Sequence, residues 1–268
     1  MQQQRIVTQP VCHLWQEPRR RENDRVSQVL LGSSVAVLSS SEDGEWVRVQ
    51  ADDTYRGWAE TRFLASEKVP KATVSVPFAD VRAEARSDAP LVARLSVLSK
   101  LTAQPPVGDW CPVTLPGGTR GWLPVAALAP LPQKSPEGWA TEFLGTPYLW
   151  GGSSAFGLDC SGLAQLCYRL TGVLLRRDAD IQRSDPRFVA VEKEALAPGD
   201  LVFFGKPDKI THVGLHYKEN LFIHAAGGAG TILTEWGDRR YSPSYVDARR
   251  LDLQKASVPV QRHEAEDR

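Results

Sequence analysis

A short stretch of this chain is written twice. Gly44-Glu45-Trp46-Val47-Arg48-Val49 is echoed by Gly108-Asp109-Trp110-Cys111-Pro112-Val113, and Gly57-Trp58 follows the first copy at the interval at which Gly121-Trp122 follows the second. Two copies of about 60 residues, rich in Val, Leu, Gly and Pro, read as short strands separated by turns and hence as two small all-β barrels. They are expected over residues 1–66 and 70–131, joined by the polar segment 65–73. Trp46, Trp58, Trp110 and Trp122 are expected to be core aromatics of these barrels rather than ligand platforms.

Beyond a second linker at 130–136 the pattern changes. Ser135-Pro136-Glu137 is a helix start with Pro at the first helical position, and Gly145 can end that helix. After the loop 146–152, Leu163, Leu166, Cys167 and Leu170 recur at helical spacing, which places Cys160 in the first turn of an amphipathic helix stopped near Gly172. Pro198-Gly199-Asp200 is a turn before the buried strand Leu201-Val202-Phe203-Phe204. Residues 211–217 and 221–226 form a hairpin around Lys218-Glu219-Asn220. Helix first and antiparallel strands after is an α+β arrangement over residues 135–254. The charged tail beyond about residue 255 is expected to fray.

Several function classes are disfavoured. The 32 basic residues balance the 32 acidic ones, so no net field gathers nucleic acid. No stretch approaches the roughly 18 apolar residues of a membrane span. The first 25 residues are polar and broken by Pro10 and Pro18, without the apolar centre of a secretory signal, and the expected location is the cytoplasm. Cys12, Cys111, Cys160 and Cys167 show no C-x-x-C spacing, and on one helix Cys160 and Cys167 stand about 10 Å apart, beyond disulfide reach. Reduced thiols are expected, with no metal and no cofactor.

Cys160 is the candidate nucleophile, because backbone N–H groups and the positive helix end stabilise a thiolate there. A lone cysteine at a helix start is by itself only a small buried residue. Here Ser161, Gly162 and Ala164 leave the helix start uncrowded, and Gly151-Gly152 and Gly157 permit close approach of a substrate. A base is then needed among five histidines. His13 and His263 are assigned to the surface. With a three-residue hairpin loop, Tyr217 faces Leu221, Gly214 faces His224 and His212 faces Ala226, so His212 and His224 share one face as a diagonal pair roughly 7 to 8 Å apart at the backbone. His224 can then hold the ring of His212, a nucleophile, base and orienting residue in the logic of a triad. His216, about 13 Å along the strand, is structural or surface.

The motifs T-P-Y-L-W-G-G-S-S-A-F-G-L-D-C-S-G-L (146–163), P-G-D-L-V-F-F, H-V-G-L-H-Y and F-I-H-A resemble, in order, those of the NlpC-type papain-like cysteine peptidases, and the repeats resemble bacterial SH3 domains. Two SH3-like domains ahead of such a domain are similar to the cytoplasmic γ-D-glutamyl-L-diamino acid endopeptidases of murein-peptide recycling. The resemblance implies Cys160 as nucleophile, His212 as base and His224 as third member. It implies substrate contacts at Asp159, against a free α-amine, and at Ser161; Asp159 can equally be a helix N-cap, a role that could coexist with binding. It further implies Tyr55, just before Gly57-Trp58, and an acid in the first barrel, here Asp24, as binders of the peptide's N-terminus. Trp150 is placed to line the cleft.

The expected reaction is hydrolysis of the γ-D-Glu to diamino-acid bond in murein peptides with a free N-terminal L-Ala. The partner is that peptide alone, without an obligate protein partner. The alternatives are a hydrolase of intact peptidoglycan stems and a catalytically inert wall-peptide-binding protein.

Overall fold

A computed structural model describes residues 3–21 and 24–257, and His263 lies outside them. The chain divides into two compact units, residues 1–132 and 133–268.

The first unit holds two antiparallel sheets. The first has seven strands, in the order Arg25–Leu30, Val11–Trp15, Arg56–Glu60, Trp46–Gln50, Ser34–Ser40, Gln4–Val7 and Leu64–Ala65; the second has six, Leu91–Ser96, Phe78–Arg82, Arg120–Pro124, Trp110–Thr114, Lys100–Ala103 and Ala72–Thr73. The written repeat becomes a structural one. Val49 pairs with Gly57 in one sheet and Val113 with Gly121 in the other. Both glycines sit where a Cβ would strike a neighbour, Leu14 Cβ at 2.8 Å and Val81 Cγ1 at 2.5 Å respectively.

The four repeat tryptophans do not build the cores, contrary to the sequence expectation. All four are half-buried. The first core is made of Val7, Cys12, Leu14, Val29, Val35, Val47, Val49 and Ala59, and the second is likewise aliphatic but richer in leucine, with Leu31, Leu95, Leu101, Leu115 and Leu123. An indole is too large for the interior of so small a barrel, and alternation turns Trp46 and Trp58 to the face opposite Val47 and Ala59. Leu31, at the end of the first sheet, is buried in the second core, and its carbonyl accepts a hydrogen bond from Lys100 N–H.

The second unit sets three short helices against a six-stranded antiparallel sheet: α1 (Pro136–Glu142), α2 (Cys160–Leu170) and α3 (Ala179–Arg183). The sheet runs Phe188–Val191, Tyr245–Leu251, Leu201–Lys206, Lys209–Lys218, Leu221–Ala226, Gly230–Glu235. Helix α2 is buried almost all round. Leu163, Leu166, Cys167 and Leu170 are each 5 % exposed or less, and burial of each leucine contributes roughly 1.5–3 kcal/mol. Gly172 adopts φ 89° just past its end and stops it as a left-handed cap. The first turn of α2 packs on backbone, since a Cβ at Gly162 would lie 2.0 Å from the Gly152 carbonyl oxygen. That approach fixes where the helix begins.

The hairpin differs from expectation at its tip. Leu215 pairs with Ile223 and His216 with Phe222, but Lys218 pairs with Leu221 across a bulge, leaving a two-residue turn at Glu219-Asn220 with Glu219 at φ 46°. The bulge adds one residue to one strand just as the turn loses one. The register reaching His212 and His224 is therefore the one that alternation requires. Gly214 lies opposite His224, whose Cβ would be 3.3 Å from a Cβ placed there.

Among the described residues no helix is long and apolar enough to cross a membrane.

Candidate active site

Cys160 opens α2 and is partly exposed, unlike the buried Cys12, Cys111 and Cys167. Two backbone N–H groups serve its sulfur, that of Ser161 in its own helix and that of Val213 on the strand Lys209–Lys218. Val213 follows His212 directly, so this contact brings the sulfur to the stretch of strand that carries the imidazole. The His212 Nε2 lies 2.7 Å from Nδ1 of His224, and the His224 Nε2 lies 2.9 Å from Thr234 Oγ1. His212 thus has Nδ1 left for the sulfur.

Two tautomer sets satisfy the row, since the Thr234 hydroxyl can accept or donate, and only one leaves Nδ1 of His212 able to take a proton from sulfur. In that set His212 carries its proton on Nε2 and donates to Nδ1 of His224, which carries its own on Nε2 and donates to Thr234. Aromatic rings pack around both imidazoles, with His224 buried and His212 half-buried. Tyr241 packs its ring 5.4 Å from that of His212 and 4.5 Å from that of His224, and Phe204 and Phe222 lie 5.8 Å and 4.9 Å from the same two imidazoles.

Burial dominates the electrostatics. It lowers His212 to about 4, against a small opposing pull from Asp159, and lowers His224 to about 3, with help from His212 and Arg240. It pushes the Cys160 thiol up to about 12, and Asp159 adds to this; the Val213 amide, Arg177 and the Ser161 amide pull the other way. The Ser161 amide at the helix start favours the anion, as helix position leads one to expect, and the Val213 amide adds to it against the opposition of burial.

The two residues flanking Cys160 are held by the protein itself. Asp159 caps α2 by accepting from Gly162 N–H at 2.8 Å, and its other oxygen accepts from Gly151 N–H at 2.9 Å. Arg177, 1 % exposed, bridges both oxygens through Nη1 at 3.0 Å and Nη2 at 2.6 Å. Ser161 Oγ donates to Asp159 Oδ1 at 3.3 Å and accepts from Arg177 Nη1 at 2.7 Å. A carboxylate offers about four acceptor sites, and five protein donors reach those of Asp159. Asp159 is thus the N-cap of α2, a role that can coexist with binding.

Trp150 is 56 % exposed beside the Gly151-Gly152 loop. Tyr55 and Asp24 stand in the first unit. Tyr55 N–H bonds Asp53 Oδ1 at 3.0 Å just ahead of the strand Arg56–Glu60, and the Asp24 carboxylate is 3.9 Å from Arg19 Nε. His216 is buried and accepts from Trp236 Nε1–H at 3.4 Å, a structural role. His13 is half-buried against Trp15, 5.9 Å between ring centroids, rather than on the open surface.

Three participants were invisible in the sequence reading. Thr234 and Tyr241 come from strand and loop positions with no spacing relation to the cysteine. Arg177 is one of two adjacent arginines, and only the fold shows that it meets Asp159. Tyr148 is a fourth: burial first, then the charges of Cys160 and Asp159, raise its phenol, which stays protonated. Its place in T-P-Y-L-W-G-G was the available signal.

The profile of the NlpC/P60 family matches residues 145–250, and that of the bacterial dipeptidyl-peptidase Sh3 domain matches residues 18–64. A γ-D-glutamyl-L-lysine dipeptidyl-peptidase of Bacillus subtilis is 31% identical over 233 residues, covering 78% of this chain and 75% of that protein. The chain belongs to the NlpC/P60 family. Dipeptidyl-peptidase 6 of Lysinibacillus sphaericus is 27% identical, covering 85% of this chain and 89% of that one. The crystal structure of an NlpC/P60 family protein from Bacillus cereus shares the fold, with a TM-score of 0.81 at 23% identity over 92% of this chain and 99% of that one. As an NlpC/P60 cysteine peptidase with a bacterial SH3 domain, the protein has the α+β architecture expected of its second half and the all-β architecture expected of its first.

Proposed function

We propose that this peptidase hydrolyses the γ-D-glutamyl-L-diamino acid bond of murein peptides bearing a free N-terminal L-Ala, and that it acts in the cytoplasm during cell-wall peptide recycling. The observation that carries the chemistry is that the Cys160 sulfur is served by the amide of Val213, the residue after His212, while His212 is linked through His224 to Thr234. The named relatives, a γ-D-glutamyl-L-lysine dipeptidyl-peptidase among them, support the bond; the unpaired state of all four cysteines suits a reducing compartment.

In this reading the Cys160 thiol gives its proton to Nδ1 of His212 as sulfur attacks the γ-carbonyl carbon. Negative charge gathers on the carbonyl oxygen, where the Cys160 N–H at the helix start and the Tyr148 phenol are donors. The carbon–nitrogen bond breaks, His212 returns its proton to the leaving amine, and L-Ala-γ-D-Glu remains as a thioester. Water then attacks, again losing a proton to His212, which releases L-Ala-D-Glu and restores the thiol.

The contact to the substrate's α-amine is assigned to Asp159, whose capping role can coexist with it, or to Asp178. That acid is partly exposed and follows Arg177 in the chain. Incubation with synthetic L-Ala-γ-D-Glu-L-Lys, its diaminopimelate counterpart and intact peptidoglycan, with products identified by mass, tests the proposal. L-Ala-D-Glu from the free peptides is the expected product. Turnover of intact peptidoglycan alone would reject the recycling role.

A further inference from the structure

The guanidinium of Arg177 is buried within the catalytic unit, and it bonds the residues on either side of Cys160. It forks onto both oxygens of Asp159, accepts no competitor from solvent at 1 % exposure, and also donates to Ser161 Oγ at 2.7 Å and towards the Gly152 carbonyl at 3.4 Å. Every one of these acceptors belongs to the first turn of α2 or to the backbone on which that turn rests. Gln182, 0 % exposed, adds a bond from Nε2 to the Ser161 carbonyl at 3.0 Å. The cap is thus built from outside the helix.

Two consequences follow for the sulfur one residue away. An Asp N-cap stabilises a helix by about 1 kcal/mol, but a carboxylate beside a nascent thiolate opposes it. A paired carboxylate keeps the capping geometry with its charge cancelled, and a bidentate Arg is the side chain that does both.

We propose that Arg177 is a positioning residue for the nucleophile: by clamping Asp159 it fixes the first turn of α2 and removes the cap's opposition to an anion at Cys160. The titratable and charged groups around the sulfur are Asp159, Arg177, His212, Tyr148 and Tyr241. The proposal concerns the first two alone. It rests on the family's cysteine chemistry and on no particular substrate.

The test is the pH dependence of Cys160 alkylation by iodoacetamide, followed by peptide mass mapping so that Cys12, Cys111 and Cys167 are read separately. An opposite charge at this range moves a titration by about one to three units. R177M is expected to raise the alkylation midpoint by about one unit or more. D159N, which leaves Arg177 positive, is expected to lower it below wild type, and D159N/R177M to return it towards wild type. R177K, which keeps the charge without the fork, is expected to hold the midpoint while slowing alkylation.

A merely structural arginine predicts otherwise, with slower alkylation in R177M and no shift of midpoint. That result, or a double variant displaced as far as R177M, overturns the proposal. Should R177M fail to fold, D159N decides, and an unchanged midpoint there refutes the charge account. Peptide turnover is not consulted, so failure of the substrate assignment leaves this test intact.

Discussion

Replacing Thr234 with Val removes one hydroxyl at the far end of the catalytic row, two residues from the sulfur's base. The His224 Nε2–H, 2.9 Å from that hydroxyl and in a residue 0 % exposed, then has no acceptor in its place. Leaving such a buried donor unmet costs about 1–3 kcal/mol. The ring can escape the cost by moving its proton to Nδ1. That proton then faces His212 Nε2 at 2.7 Å, which must become an acceptor, and the His212 proton moves to Nδ1, where it blocks acceptance from sulfur.

The loss of tautomer preference is thereby converted to a loss of active enzyme. At about 1.36 kcal/mol per tenfold, T234V is expected to lower kcat/KM by roughly 5- to 150-fold, and Cys160 alkylation at neutral pH with it. T234S keeps the hydroxyl and is expected to stay within about twofold of wild type. The assays are turnover of L-Ala-γ-D-Glu-L-Lys and nitrogen NMR of the imidazole tautomers. Wild-type kcat/KM in T234V, with the tautomers unchanged, refutes the reasoning.

Further outcomes are expected. C160A is folded by circular dichroism and inactive; surviving turnover rejects the nucleophile. His224 is buried and His212 half-buried, both with lowered titration points, so the unfolded chain takes up protons first, and the stability they contribute is lost as pH falls from about 6.5 towards 4. Denaturant midpoints measured across that window check this, and H224N is expected to flatten the decline. Acetylation of the substrate's N-terminal Ala abolishes turnover, and equal rates on blocked and free peptides remove amine recognition. D178N, read as KM against kcat, tests whether that acid meets the amine: a raised KM at unchanged kcat is expected, and wild-type KM removes it.

What could be read from the chain depended on whether the signal was local. The repeat around Trp46 and Trp110, the helix start at Cys160 and the alternation through His212 and His224 each need only a few adjacent residues, and each is legible. The size of the indoles was legible too, but not the small diameter that turns them out of the barrel cores. The second amide at the sulfur was not, since Val213 lies 53 residues further along the chain and only the fold brings it there. Arg177 escaped for a related reason. Beside Arg176 it reads as a basic pair, and its partner lies 18 residues earlier in sequence.

The bulge at Tyr217 has a consequence for how this hairpin tolerates change. Because surplus backbone is taken up within the strand, the tip at Glu219-Asn220 and the histidines near its base are mechanically insulated from one another. Remodelling the tip can leave the imidazoles facing inward, whereas straightening the kinked strand would turn one of them outward without altering a single catalytic residue.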